Sequence, residues 1–167
     1  MSFTAYDKAG EKKSNDDYGT SKMAYEFIKD FVPTGKVLYD PFYFNGSCVK
    51  YVEEVFAPTE FIHKDKDAFT WFPENVDFVI TNPPFSRKYE VLDWLLKKDV
   101  PFAVLLPLTT MCAQKFQKIK GADKIQFVVT SRRVKFEIKG QDKLGSANFD
   151  STWFCYKMDL PRDVVYR

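Results

Sequence analysis

Nine residues constrain this fold more than any other stretch of the chain: Asp77-Phe78-Val79-Ile80-Thr81-Asn82-Pro83-Pro84-Phe85. Phe78, Val79 and Ile80 form the short, continuous apolar run expected of a parallel strand buried on both faces. The two prolines carry no backbone N–H to donate to a ladder, so the strand must stop at Thr81 or Asn82. In an open α/β sheet, ligands sit beyond the carboxyl ends of the strands. Asn82 to Phe85 are therefore expected at the mouth of a binding crevice. An ordinary proline turn is the other reading of the same residues.

Asn82-Pro83-Pro84-Phe85 after an apolar strand resembles the catalytic motif of the S-adenosylmethionine-dependent methyltransferases that modify exocyclic or amide nitrogens, Asp/Asn/Ser-Pro-Pro followed by an aromatic residue. The residue types suit that chemistry. An adenine amine is a poor nucleophile because its lone pair is delocalised into the ring. Its site must hold the two amino hydrogens with acceptors and leave the lone pair facing the methyl group. The resemblance gives those roles to the Asn82 side-chain oxygen and the Pro83 carbonyl, and needs no strong base. Proline rigidity fixes the carbonyl, and Phe85 offers a face for an extruded base.

A second stretch lies about forty residues earlier, in the order that one βαβαβ half of a doubly wound sheet requires. Lys36 to Asp40 reads as a strand, Pro41 to Ser47 as a tight turn, and Val49, Val52, Val55 and Phe56 as one helix face. It resembles the Asp-Pro-Phe-x-Gly-x-Gly cofactor loop of the same family. Asp40, Pro41, Phe42 and Gly46 match, and Phe44 stands in the place of the first glycine. Upstream, Tyr18 and Thr20 match a Tyr-x-Thr-Pro-like stretch that lines the cofactor's methionine end, with Ser21 where proline is usual. Ser21 also reads as the N-cap of a helix placing Met23, Phe27 and Phe31 on neighbouring turns, ended by Pro33 and Gly35. After the strand beginning at Glu60, Asp65 is the first choice and Asp67 the second for the acid that binds ribose hydroxyls, with Phe69 beside the adenine ring. Alternating Lys and Asp there also suits an exposed edge. His63 is the only histidine, no ligand types cluster around it at metal spacing, and no metal is expected.

Beyond Phe85, Ser86 is expected to cap a helix bearing Tyr89, Leu92, Leu95 and Leu96, followed by a buried strand over Phe102 to Leu108. A helix capped by Thr109 or Thr110 is expected to run to about Lys120, then strands at Lys124 to Thr130 and Ser151 to Lys157. The alternation predicts a parallel, layered sheet. The segment Ala147 to Tyr156 resembles the closing part of phage-type adenine methyltransferases. In that comparison Arg132, Arg133 and Lys135 face phosphates, while Phe136 or Phe149 walls the base pocket. Aromatic residues this dense equally suit a core.

Composition sets the outer bounds. With 167 residues the chain is long enough for one domain with its own core, expected over 18–167 after a polar, flexible arm at 1–17. Three widely spaced cysteines without a Cys-x-x-Cys pair, and the absence of a signal-peptide pattern, long apolar span or repeat, predict an intracellular protein, cytoplasmic or nuclear, with no membrane partner. Residues 1–110 carry 13 Lys/Arg against 17 Asp/Glu, whereas residues 111–167 carry 12 against 6, so the +2 net charge divides into −4 and +6. The basic later part suits a phosphate backbone, although charge runs also occur as plain solvated faces.

Taken together, the resemblance implies a Rossmann-like class I methyltransferase: a three-layer α/β/α fold whose mostly parallel sheet has about seven strands, the last antiparallel. It implies S-adenosylmethionine as cofactor and the N6 amine of extruded adenine in DNA as acceptor, in the manner of the small enzymes of phages and large DNA viruses. With no separate target-recognition domain, sequence preference would come from 137–150 and the basic segment before it, from a protein partner, or from a homodimer. Adenine in RNA, a protein glutamine amide, and a catalytically silent subunit that binds nucleic acid or a partner are the alternatives.

Overall fold

The computed structural model describes residues 18–138 and 141–167; the expected arm at 1–17 lies outside them. Its centre is a seven-stranded, mostly parallel sheet flanked by helices, a mixed α/β arrangement compatible with a Rossmann-like fold. In chain order the strands of this sheet are β2 (Val37–Tyr39), β3 (Glu60–Ile62), β4 (Phe78–Thr81), β5 (Phe102–Pro107), β6 (Gln126–Val129), β9 (Ser151–Tyr156) and β10 (Val164–Tyr166). In space they run β10-β6-β9-β5-β4-β2-β3. β2 pairs in parallel with both β3 and β4, and β4 with β5. β9 is antiparallel to both of its neighbours, β5 and β6, as the resemblance implies for the strand at Ser151. It is not the last strand, because β10 follows and adds in parallel to β6. Val164-Val165-Tyr166 is too short a run to stand out in the sequence, and its pairing partner fixes it.

The central strands are apolar because both of their faces are covered. Along β5, Ala103 and Leu105 enter one apolar cluster with Leu38, Ile80, Trp153 and Cys155. Phe102, Val104 and Leu106 enter the other with Tyr39, Val79, Phe154 and Tyr156. The alternation is the two-residue pleat of a strand. The first cluster takes Ala24 and Tyr25 from helix α1 (Lys22–Glu26) and Val52, Val55 and Phe56 from α2 (Cys48–Phe56). The second takes Val91, Leu92 and Leu95 from α3 (Lys88–Lys98).

Several local expectations are corrected. Tyr18–Thr20 does lead into the first helix, but as strand β1, which pairs antiparallel with β7 (Lys135–Ile138); β7 in turn pairs with β8 (Gly145–Ser146) in a separate three-stranded sheet. α1 has only five residues, and its buried face is Ala24 and Tyr25, with Ile28 beyond it, rather than Met23, Phe27 and Phe31. Ser21 stands at the N-cap position, but its hydroxyl donates to the Lys135 carbonyl (2.5 Å), tying α1 to β7 instead of capping the helix. Ser86 lies within a 3₁₀ turn, Phe85–Arg87, which precedes α3. The helix expected up to Lys120 is a 3₁₀ turn, Leu108–Cys112, and a short α4, Gln114–Gln117. Among the described residues no helix is long and apolar enough to cross a membrane.

Candidate active site

β4 delivers the chain to the carboxyl edge of the sheet, and the two prolines turn it there. Thr81, the last strand residue, is fully buried and its hydroxyl donates to Asp40 Oδ1 (2.5 Å), joining the ends of β2 and β4. Asn82 donates from Nδ2 to the backbone carbonyl of Tyr18 (3.0 Å). A carbonyl only accepts, so this contact fixes which way the amide points. The other end of that amide, Asn82 Oδ1, is buried and has no hydrogen-bond partner among the described residues. A buried acceptor left unmade costs about 1–3 kcal/mol, so folding alone gives no reason to keep it. Phe85 is buried, with the Phe149 ring set edge-on against it at 5.0 Å.

Asp40 stands at the end of β2, and its carboxylate holds the following loop. Oδ1 accepts from the Phe42 N–H (3.1 Å) as well as from Thr81. Burial pushes the Asp40 carboxyl up to about 6, against the opposing pull of His63, the Thr81 hydroxyl and the Phe42 N–H. A Thr81→Val variant leaves that carboxylate with one donor fewer, and urea unfolding is expected to show a loss of about 1–3 kcal/mol.

Within the loop, Pro41 is buried and Phe42 packs against Phe69 with ring centroids 6.1 Å apart. Gly46 adopts φ +75°, and a Cβ there would lie 3.0 Å from the Tyr43 hydroxyl. A Gly46→Ala variant is expected to lose about 1–2 kcal/mol in the same assay, because a side chain in the left-handed region crowds its own carbonyl. Ser47 Oγ donates to Glu137, and the Tyr51 hydroxyl donates to the same carboxylate (3.0 Å), so the loop end is pinned to β7. Phe44 is half-buried and packs its ring over Gly19 of β1, where a Cβ would be 3.1 Å away, and it lines an open groove of about 550 Å³ with Tyr43 and Tyr51.

The remaining candidates are less closely gathered. Tyr18 and Thr20 lie on β1, and the Tyr18 carbonyl meets Asn82, so the first and last parts of the expected methyl-transfer region touch directly. Asp65 and Asp67 are exposed after β3; the Asp67 carboxylate accepts the Phe69 N–H (2.8 Å) and shapes the local turn. Phe69 is packed by Phe42, by Trp94 at 5.2 Å and by the Arg87 guanidinium at 4.2 Å. Arg132, Arg133 and Lys135 are exposed, with Arg133 paired to Asp150 at 2.9 Å. Phe136 is fully buried, against Tyr18 (5.4 Å) and Phe149 (6.3 Å), so it backs the aromatic wall instead of presenting a face to a base.

Sequence reasoning missed one cluster. Asp40, Cys48 and His63 come from three different elements, and their ligand-type atoms all lie within 4.8 Å of one another. Irregular spacing hides it, because neither a helix period nor a short motif links the three positions. No protein-family model and no curated protein matches the chain.

Proposed function

We propose that this chain is an S-adenosylmethionine-dependent methyltransferase of the Rossmann-like class I, three-layer type, acting on the exocyclic N6 amine of adenine in DNA. The observation that carries the reading is the buried Asn82 Oδ1, without a partner among the described residues, in an amide whose nitrogen is already tied to Tyr18. An amine with two hydrogens is the ligand this acceptor fits: one hydrogen goes to Asn82 Oδ1 and the other to the Pro83 carbonyl. The lone pair is then directed away from both, so positioning and dipoles replace a base. The antiparallel β9 set between parallel strands supports the class I assignment.

The cofactor would be held by Tyr18 and Thr20, by the loop from Asp40 to Gly46, and by Asp65 or Asp67. The Gly46 turn and the carboxylate-pinned loop fit that role. When bound, it supplies an electrophilic methyl group on a sulfonium. The chain's own contribution is to hold the amine and exclude water. Arg132, Arg133 and Lys135 give the DNA backbone a cationic surface, and a protein partner or second copy would supply further target recognition.

One observation favours the silent-subunit reading: the Phe44 ring closes over Gly19 where the family pattern has glycine. Isothermal titration with S-adenosylmethionine separates the two. The enzyme reading expects one molecule bound per chain, with equal affinity in wild type and Asn82→Ala. No heat in either protein would sink it and leave the silent subunit.

A further inference from the structure

Three buried donor side chains converge where the 41–47 loop begins and ends. Asp40 closes β2, Cys48 opens α2, and His63 follows β3. His63 is held in one orientation: its ring stacks on Phe61 (5.6 Å, 7° between planes) and is covered on the outside by Tyr43 (4.9 Å). Its Nδ1 lies 3.2 Å from the Asp40 backbone carbonyl, which can only accept, so Nδ1 carries the hydrogen. This leaves the Nε2 lone pair facing Cys48 Sγ at 3.5 Å. An imidazole whose Nδ1–H is anchored on a carbonyl and whose Nε2 is bare is the usual arrangement of a metal-ligating histidine. Two ligands on a tetrahedral zinc, one at about 2.3 Å through sulfur and one at about 2.0 Å through nitrogen, stand roughly 3.5 Å apart. Asp40 adds a carboxylate oxygen within 4.8 Å of both other donors: Oδ1 is engaged by Thr81 and Phe42, and Oδ2 lies 3.7 Å from His63 Nδ1.

We propose that Asp40 Oδ2, Cys48 Sγ and His63 Nε2 form a binding site for a divalent cation of the zinc type, with a fourth position left for solvent. The mixed sulfur, nitrogen and oxygen donor set selects a borderline cation over magnesium or calcium, which prefer oxygen alone. The thiol proton passes to solvent as the sulfur–metal bond forms, and the resulting thiolate sits at the first turn of α2, where the helix dipole favours negative charge. The bound cation clamps both ends of the loop.

The same three groups also have the order of a nucleophilic thiol, imidazole and carboxylate. That reading fails on geometry. The His63 Nδ1–H is held by the Asp40 backbone carbonyl (3.2 Å) with the carboxylate Oδ2 farther off at 3.7 Å, so the carboxylate does not take the orienting place behind the imidazole, and Cys48 is buried.

The test is titration of the chelator-stripped full chain with cobalt(II) under reducing conditions. One equivalent is expected to give the visible bands of four-coordinate cobalt and a near-ultraviolet thiolate-to-cobalt band, both erased by one equivalent of zinc. Cys112→Ser, which changes the exposed thiol, should keep the full spectrum, whereas Cys48→Ser should lose the thiolate band. His63→Gln should weaken binding at least ~10-fold. Absence of the bands in the unmodified protein overturns the proposal whatever the variants do, as does a thiolate band that persists in Cys48→Ser.

Discussion

Asn82→Ala is expected to lower the rate of methyl transfer by at least ~100-fold while leaving the fold and cofactor binding in place. The magnitude is that of removing one preorganised dipole from a water-excluded site. What makes the prediction specific is its stability counterpart. The substitution deletes the hydrogen bond to the Tyr18 carbonyl, but it also deletes a buried acceptor that has no partner among the described residues. The two terms oppose, so urea unfolding should place the variant within about 1 kcal/mol of the parent. Asn82→Asp keeps an acceptor but sets a carboxylate against the Tyr18 carbonyl, and should recover only part of the rate. A large loss of stability in Asn82→Ala with little loss of rate would mean that the residue is structural.

Trp153→Ala should behave in the reverse manner. Trp153 is fully buried in the middle of β9, its ring lies 6.1 Å from Tyr25, and its Nε1–H donates to the Ala24 carbonyl (2.9 Å). It therefore binds α1 to the central sheet by both area and hydrogen bond. Truncation leaves a cavity and an unpaired carbonyl, costing about 3–5 kcal/mol. That is a large part of the roughly 5–15 kcal/mol by which a domain is stable. Urea unfolding should show a lower midpoint for Trp153→Phe and a much lower one for Trp153→Ala. Cofactor affinity measured well below the transition should change little, since Trp153 belongs to the core rather than to the proposed cofactor site.

The parts of this fold that could be read in the sequence are those set by local chemistry. Phe78 to Ile80 and Phe102 to Leu106 are apolar because strands covered on both faces tolerate little else, and Pro83-Pro84 ends β4 wherever the rest of the chain goes. The helix over Val49 to Phe56 was visible from its apolar spacing. What escaped depends on distant partners. Tyr18–Thr20 becomes a strand because β7 supplies its hydrogen bonds from more than a hundred residues away. Ser21 spends its hydroxyl on Lys135 rather than on its own helix, for the same reason. β10 exists through β6. At the site, the Asn82 to Phe85 corner was legible, but the tie to Tyr18, which engages the nitrogen end of the amide and leaves Oδ1 without a partner among the described residues, was not. Nor was the approach of Asp40, Cys48 and His63, a product of sheet order rather than of spacing.

The most direct test of the central claim is to incubate the chain with methyl-labelled S-adenosylmethionine and adenine-containing DNA, digest the DNA to nucleosides and weigh them. The account predicts labelled N6-methyladenine from the parent protein and at least ~100-fold less from Asn82→Ala. Cofactor bound by the parent protein, with no labelled adenine from single- or double-stranded DNA, would contradict it.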